Sequence, residues 1–172
     1  MKRIMIIGCA GSGKSTLAFN LGTTLKLPIY HLDKVFWKPN WVKISPEDWQ
    51  QYISTIIQKE SWIIDGNYSS TMEIRMRRAN IIIYLDFPRF LCLWRVIKRR
   101  FQYNNKSRPD INDQCNEKLD LEFLQWIWNY PKRSKPKTMQ LLKQCTKNHL
   151  IFHITKKKQL LNMQEQILNL NF

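Results

Sequence analysis

Ile4-Met5-Ile6-Ile7-Gly8-Cys9-Ala10-Gly11-Ser12-Gly13-Lys14-Ser15-Thr16 is a short apolar run that breaks into a glycine-rich loop and ends on Lys-Ser-Thr. From Gly8 to Ser15 the spacing is G-x-x-x-x-G-K-[ST]. The apolar run reads as a buried parallel strand. Beyond the loop, Leu17, Leu21 and Leu25 recur at helical spacing, with Ala18 and Phe19 beside them. Strand, glycine loop and helix, in that order, are the context a phosphate-binding loop requires.

Each residue type has a physical reason. Gly8, Gly11 and Gly13 permit backbone angles closed to other residues, so successive N–H groups turn inward. Together with Ser12, Thr16 and the start of the helix they form a nest for an anion. Lys14 is a point charge within reach of the β- and γ-phosphates of a nucleotide. The Ser15 hydroxyl suits Mg²⁺, which bridges those phosphates. ATP with Mg²⁺ is the expected ligand pair.

Outward from the loop, Pro28 to Asp33 reads as a strand ending in Asp33. Ligands of open parallel sheets sit beyond the carboxyl ends of strands, so Asp33 is a candidate base or positioning group for a phosphoryl acceptor. Val35 to Trp41 is an aromatic loop, and Trp37 is a candidate acceptor-stacking ring. Ser45-Pro46-Glu47-Asp48 starts a helix that runs to about Lys59. Ser61 to Gly66 is an apolar strand ending in Asp65-Gly66, and Asp65 is the candidate Mg²⁺-ordering carboxylate. Asp86, after Ile81 to Leu85, is its competitor.

Gly66, Asn67 and Tyr68 are expected across the cleft from the phosphate loop. A short helix over 69–78 places Arg75 and Arg78 on one face, where either is a candidate clamp for an acceptor anion. Pro88 opens a helix carrying Arg95 and Arg99, four apart and side by side. Tyr103 to Cys115 is polar and turn-rich, the best lid candidate, with Arg108 as its arginine. A helix over 117–129, a basic hinge over 131–137 with Arg133, a helix over about 136–146, a strand over 150–154 and a last helix follow. Thr155-Lys156 lies where an adenine-contacting loop would run.

At 172 residues with 44% apolar content the chain suits a single domain, 1–172, with a lid or basic helical segment over about 101–135. No apolar run reaches the roughly 18–20 residues of a membrane span, and Met1-Lys2-Arg3 leads into a first strand rather than a signal peptide. Cys9, Cys92, Cys115 and Cys145 form no C-x-x-C pair, which suits a reducing cytoplasmic setting. The net charge is +15, and from Arg95 to Lys158 there are 16 Lys/Arg against 5 Asp/Glu. Such a surface attracts phosphates, on nucleotides or on nucleic acid.

Several segments together resemble the adenylate-kinase-like P-loop kinases, and more narrowly the bacterial proteins labelled DNA topology modulation protein or adenylate kinase. They are Gly8–Thr16, His31-Leu32-Asp33, Trp62-Ile63-Ile64-Asp65-Gly66-Asn67-Tyr68, Ile82 to Arg89, Trp94 to Arg100, Arg108-Pro109-Asp110 and Asp120 to Trp128. The resemblance implies an α/β three-layer fold, a P-loop nucleoside-kinase-like architecture with a five-stranded parallel sheet in the order 2-3-1-4-5, and a helical lid. It also implies that Arg95 and Arg99 are the paired arginines laid against ATP. Adenylate kinases carry D-G-F-P-R where this chain has Asp65-Gly66-Asn67-Tyr68, and no AMP-binding insert is present, so AMP is not carried over as acceptor. The expected activity is phosphoryl transfer from ATP to a small-molecule acceptor. A nucleotide-regulated DNA-binding protein and an acceptor-independent ATPase are the rival readings.

Overall fold

The computed structural model describes residues 2–103, 110–112, 114–115, 119–145 and 149–170. Its centre is β1, Arg3–Gly8, every residue of which after Arg3 is buried. The other strands of the sheet are β2 (Ile29–His31), β3 (Trp62–Asp65), β4 (Ile81–Leu85) and β5 (Leu150–Ile154). All pairs are parallel and the order is β2-β3-β1-β4-β5. This is the expected topology. It puts the ends of β3 and β4 on either side of the loop that follows β1.

Alternating side chains of the strands feed two cores, one on each face of the sheet. Ile4, Ile6, Ile63, Ile81 and Ile83 pack against α1 (Lys14–Leu25), α5 (Arg89–Gln102), α6 (Leu121–Arg133) and α8 (Lys157–Asn169). Met5, Ile7, Ile64, Ile82 and Tyr84 pack against α2 (Leu32–Phe36), α3 (Pro46–Ile57), α4 (Met72–Arg78) and α7 (Lys135–Gln144). Three layers result. Among the described residues no helix is long and apolar enough to cross a membrane.

Helix starts follow local chemistry. Ser45 Oγ accepts the Asp48 N–H at 3.1 Å with Pro46 in the first turn of α3. Asp120 accepts the Phe123 N–H at 2.7 Å, which fixes the start of α6 at Leu121 rather than at 117. The helix expected to stop at 129 runs through Pro131 to Arg133, so the basic hinge over 131–137 is a correction: the break is at Ser134. The β2 strand ends at His31, not at Asp33. Asp33 lies in the first turn of α2. The expected aromatic loop is the end of α2 followed by a tight hairpin, Trp37–Lys38 against Val42–Lys43. The 101–135 segment begins as the end of α5, includes all of α6 and reaches the first residue of α7, and the lid candidate between α5 and α6 is only partly within the described residues.

Candidate active site

Gly8, Gly11 and Gly13 take φ values of 150°, 76° and 97°, the angles that turn the loop's N–H groups inward. At Gly11 space is also decisive: a Cβ there would lie 2.4 Å from the Cys92 carbonyl. Lys14 opens α1 and its Nζ lies 3.0 Å from the Cys9 carbonyl, curled over the loop. Ser12 is 2% exposed and its hydroxyl lacks a protein partner. Ser15 and Thr16 follow in the first turn of α1. A buried hydroxyl without a partner beside inward N–H groups fits a phosphate oxygen.

The two candidate carboxylates flank β1. Asp65 pairs in register with Ile6 and with His31. It is 4% exposed, and its Oδ1 lies 2.7 Å from His31 Nδ1. Burial pulls the His31 pKa down, but the hydrogen bond and charge of Asp65, with Asp110 and Asp33 beyond, outweigh it and raise it above 6.5. Asp86 is held differently: its Oδ2 takes Lys135 Nζ at 2.7 Å and His153 Nε2 at 2.8 Å.

Between them runs Gly66-Asn67-Tyr68. Asn67 Oδ1 accepts the Gly8 N–H at 3.0 Å, and its amide donates to the Tyr130 hydroxyl of α6 at 3.3 Å. Tyr68 donates to Asp33 Oδ1 at 2.6 Å. The Tyr68 ring packs on Phe36 and Trp49 at centroid distances of 4.5 and 4.8 Å. Burial, then the Asp33 charge, push the Tyr68 phenol well up, so it stays a donor. Trp37 meets Phe36 and Trp41 edge-on and is half-buried beside this pair.

Arg75 is a correction. It does not share an open face with Arg78. Its guanidinium is fully buried and donates to the carbonyls of Thr71, Gly66, Asn67 and Tyr68 at 2.9–3.2 Å. Burial pushes its pKa down to about 9 against the pull of Tyr68 and Asp65, so it remains charged at neutrality. It shapes the loop and offers no open clamp. Arg78 is exposed at the far end of α4, where Nε donates to the Ile57 carbonyl and its charge bears on Arg3 at the start of β1. That is the amino end of the sheet, away from the phosphate loop, because α4 runs antiparallel to the strands it covers.

Arg95 Nη1 donates to the Ser12 carbonyl at 3.2 Å and approaches the Gly11 carbonyl at 3.4 Å, with the guanidinium over Phe87. It lines a cleft of about 390 Å³ with Gly13, Thr16, Lys157, Leu160 and Gln164. Lys157, rather than Thr155 or Lys156, is the basic residue at that cleft. Arg99 is half-buried one turn along α5. Arg133 is exposed in the last turn of α6. Arg108 lies outside the described residues.

Sequence reasoning missed three participants. His31 carries a signal of its own, a histidine at a strand end beside a strand ending in aspartate. Tyr130 was one aromatic among many in α6. The third is the stretch after Arg108: Gln114 accepts the Asn40 N–H at 3.3 Å and Cys115 Sγ donates to the Lys38 carbonyl at 3.2 Å, so it packs on the hairpin. The hairpin tip holds Asn40 and Trp41 at φ 59° and 62°, a strained setting for a tryptophan.

No protein-family model matches the chain, and no curated protein matches it in sequence. Among solved structures it is similar to deoxyadenosine kinase from M. mycoides, with products dCMP and a flexible dCDP bound. That likeness has a TM-score of 0.52 and 16% identity, and covers 99% of this chain and 100% of that one. It is also similar to shikimate kinase from Acinetobacter baumannii in complex with shikimate, with a TM-score of 0.58, 13% identity, and 98% and 91% covered. At these identities the likeness is one of fold: the chain has the P-loop fold of nucleoside and small-molecule kinases.

Proposed function

We propose that this chain is an ATP-dependent phosphotransferase that moves the γ-phosphoryl group to a hydroxyl of a small-molecule acceptor. On this reading it belongs with the adenylate-kinase-like proteins its motifs resemble, and works in the cytoplasm. The observation that carries the reading is the juxtaposition of two unlike halves at the carboxyl end of the parallel strands. One is the glycine loop with Lys14. The other is the Asp33–Tyr68 pair in its aromatic setting, 2.6 Å apart.

The residues divide the work. Gly8, Gly11, Ser12, Gly13, Ser15 and Thr16 bind phosphates, and Lys14 leaves the Cys9 carbonyl to meet the transferring group. Arg95, with Arg99 beyond it, faces the nucleotide base at the cleft beside α8. Asp33, oriented by Tyr68, takes the acceptor proton, and Trp37, Gly66 and Asn67 bound the acceptor. Arg99, Arg108 and Arg133 serve the lid segment over 101–135, where positive charge offsets the negative charge developing on the phosphoryl oxygens. The hard oxygen donors Ser15 and Asp65 suit Mg²⁺. The remaining ligands of such an ion would be phosphate oxygens and water. When bound, Mg²⁺ neutralises phosphate charge. Asp65 is preferred to Asp86, whose Oδ2 already takes a lysine and a histidine.

The test is ADP release from ATP and Mg²⁺ with a panel of nucleosides, nucleoside monophosphates, sugar acids and shikimate. Lys14→Ala, expected to lose about 10²–10³ in kcat, is the control. Release stimulated by one acceptor and lost in the variant supports a kinase and names its class. Slow release indifferent to every acceptor supports the ATPase reading. Salt-dependent DNA binding without turnover supports the rival that the +15 charge suggests.

A further inference from the structure

Four large apolar side chains of α5 face water: Phe90, Trp94, Ile97 and Phe101. Phe90, Trp94 and Phe101 are 64%, 57% and 78% exposed. At about 100° per residue the four fall within an arc of about 60°, a single stripe. The other side of the helix is spent inward, where Cys92 and Val96 are buried in the core. The stripe continues onto α6. Phe90 meets Trp128 edge-on at 5.4 Å, and Leu121, 76% exposed, lies seven residues before Trp128 on the same face of its helix. Neither the core nor the proposed active site uses these residues, and a contiguous exposed apolar patch marks an interaction surface.

The rim of the patch is cationic. α5 carries Arg89, Arg95, Lys98, Arg99 and Arg100 and no Asp or Glu. Lys98 Nζ lies 5.3 Å from the Trp94 ring centre, and the Arg89 guanidinium 3.9 Å from that of Trp128. Glu122 is exposed beside Leu121 but points about 100° away around α6. The face therefore suits an occupant that is apolar at its centre and anionic at its margin. A second copy of this chain, docked face to face about a two-fold axis, brings like charges together. A nucleic acid strand supplies anions, but base stacking needs open ring faces. Trp94 and Trp128 each already hold a cation over the ring, and Ile97 and Leu121 have no ring to offer. The headgroup boundary of an anionic bilayer supplies both parts: hydrocarbon for the stripe, and phosphate for Arg89 and Lys98 at its margin.

We infer that this face of α5 and α6 docks the protein reversibly on an anionic lipid bilayer. α5 lies in the plane of the interface, with its core side still packed on the protein. Arg95, about 100° around the helix from Trp94, keeps its bond to the Ser12 carbonyl. Docking and the proposed nucleotide site thus draw on different side chains, and the inference does not rest on the kinase reading.

The full chain is mixed with sedimentable vesicles of two parts phosphatidylcholine to one part phosphatidylglycerol, and with vesicles of phosphatidylcholine alone. Pelleting reads the affinity, and hydroxyl-radical footprinting reads the face. Binding to the mixed vesicles should be about tenfold tighter or more than to the neutral ones. Phe90, Trp94, Phe101 and Trp128 should be protected from oxidation, and Phe19 of α1, 62% exposed, should not. Trp94→Ser combined with Phe101→Ser keeps every charge and should weaken binding by about tenfold or more. Lys98→Glu should weaken it by about fivefold or more. Equal affinity for the two vesicles, a double variant that binds like the wild type, or protection that omits the stripe overturns the inference. So does a stripe protected by a single-stranded oligonucleotide, or by raised protein concentration, but not by the mixed vesicles. The footprint is read on the unaltered chain, so it decides the matter even where a variant folds poorly.

Discussion

Asn67 accepts the Gly8 N–H at 3.0 Å and so ties the loop after β3 to the first residue of the phosphate loop. The same amide reaches Tyr130 of α6. Asn67→Ala should leave the Gly8 N–H without its side-chain partner and lower stability by about 1–3 kcal/mol, measured by urea unfolding. Asn67→Asp keeps an acceptor for Gly8 but sets a negative charge beside the phosphates. It should be more stable than the alanine variant yet bind ADP less well.

Arg75 is the least replaceable arginine. Arg75→Met removes the donors of several buried carbonyls at once and should destabilise the protein by about 3 kcal/mol or more. Arg75→Lys should recover little, since an ammonium cannot reproduce the fork. Arg78→Ala, at the exposed end of the same helix, should stay within about 0.5 kcal/mol of the wild type. Equal effects at the two positions would refute the assignment of Arg75 to loop shaping.

The proposed nucleotide site is tested at Arg95, which donates to the Ser12 carbonyl. If it faces the base, Arg95→Ala should weaken ADP by about tenfold, or about 1.4 kcal/mol, and leave tripolyphosphate affinity nearly unchanged. Isothermal titration with both ligands reads the difference. A parallel loss for both ligands would place Arg95 on the phosphates instead.

His31 carries a pH signature. Its pKa is raised in the folded protein, so the His31–Asp65 pair contributes fully below the ordinary value of 6.5 and fades as pH rises through the raised pKa. In chelator-treated protein the stability advantage of wild type over His31→Gln should be larger at about pH 6 than at about pH 9. A gap that widens with pH would contradict the pairing.

The sheet was legible because its strands are apolar runs of the right length, and because the glycine loop marks where β1 ends. Arg75 was not, although the signal was present. Helical spacing puts 75 and 78 on one face, but it also puts 75 beside Met72, Met76 and Ala79, all buried. Apolar neighbours, rather than the second arginine, decide which way that face turns. Asp33 was placed one element early because a strand and a one-turn helix share the same short apolar prelude. The hinge at Pro131 misled because proline is tolerated near a helix end when surrounding packing, here by buried Ile127 and Tyr130, holds the helix together. The approach of the stretch after Arg108 to the hairpin is a long-range contact, and no local pattern encodes it.

Gln114 and Cys115 grip the hairpin through its Asn40 amide and Lys38 carbonyl, while the chain that leads to them departs from the helix carrying Arg95. Gln114 and Cys115 therefore hold the hairpin that carries Trp37, a wall of the proposed acceptor pocket. On the proposed reading both substrates are bound at once before the phosphoryl group moves. Initial-rate kinetics should give intersecting rather than parallel lines, with each substrate lowering the KM of the other, and removing the Cys115 contact by Cys115→Ala should loosen that coupling without changing either pocket's chemistry.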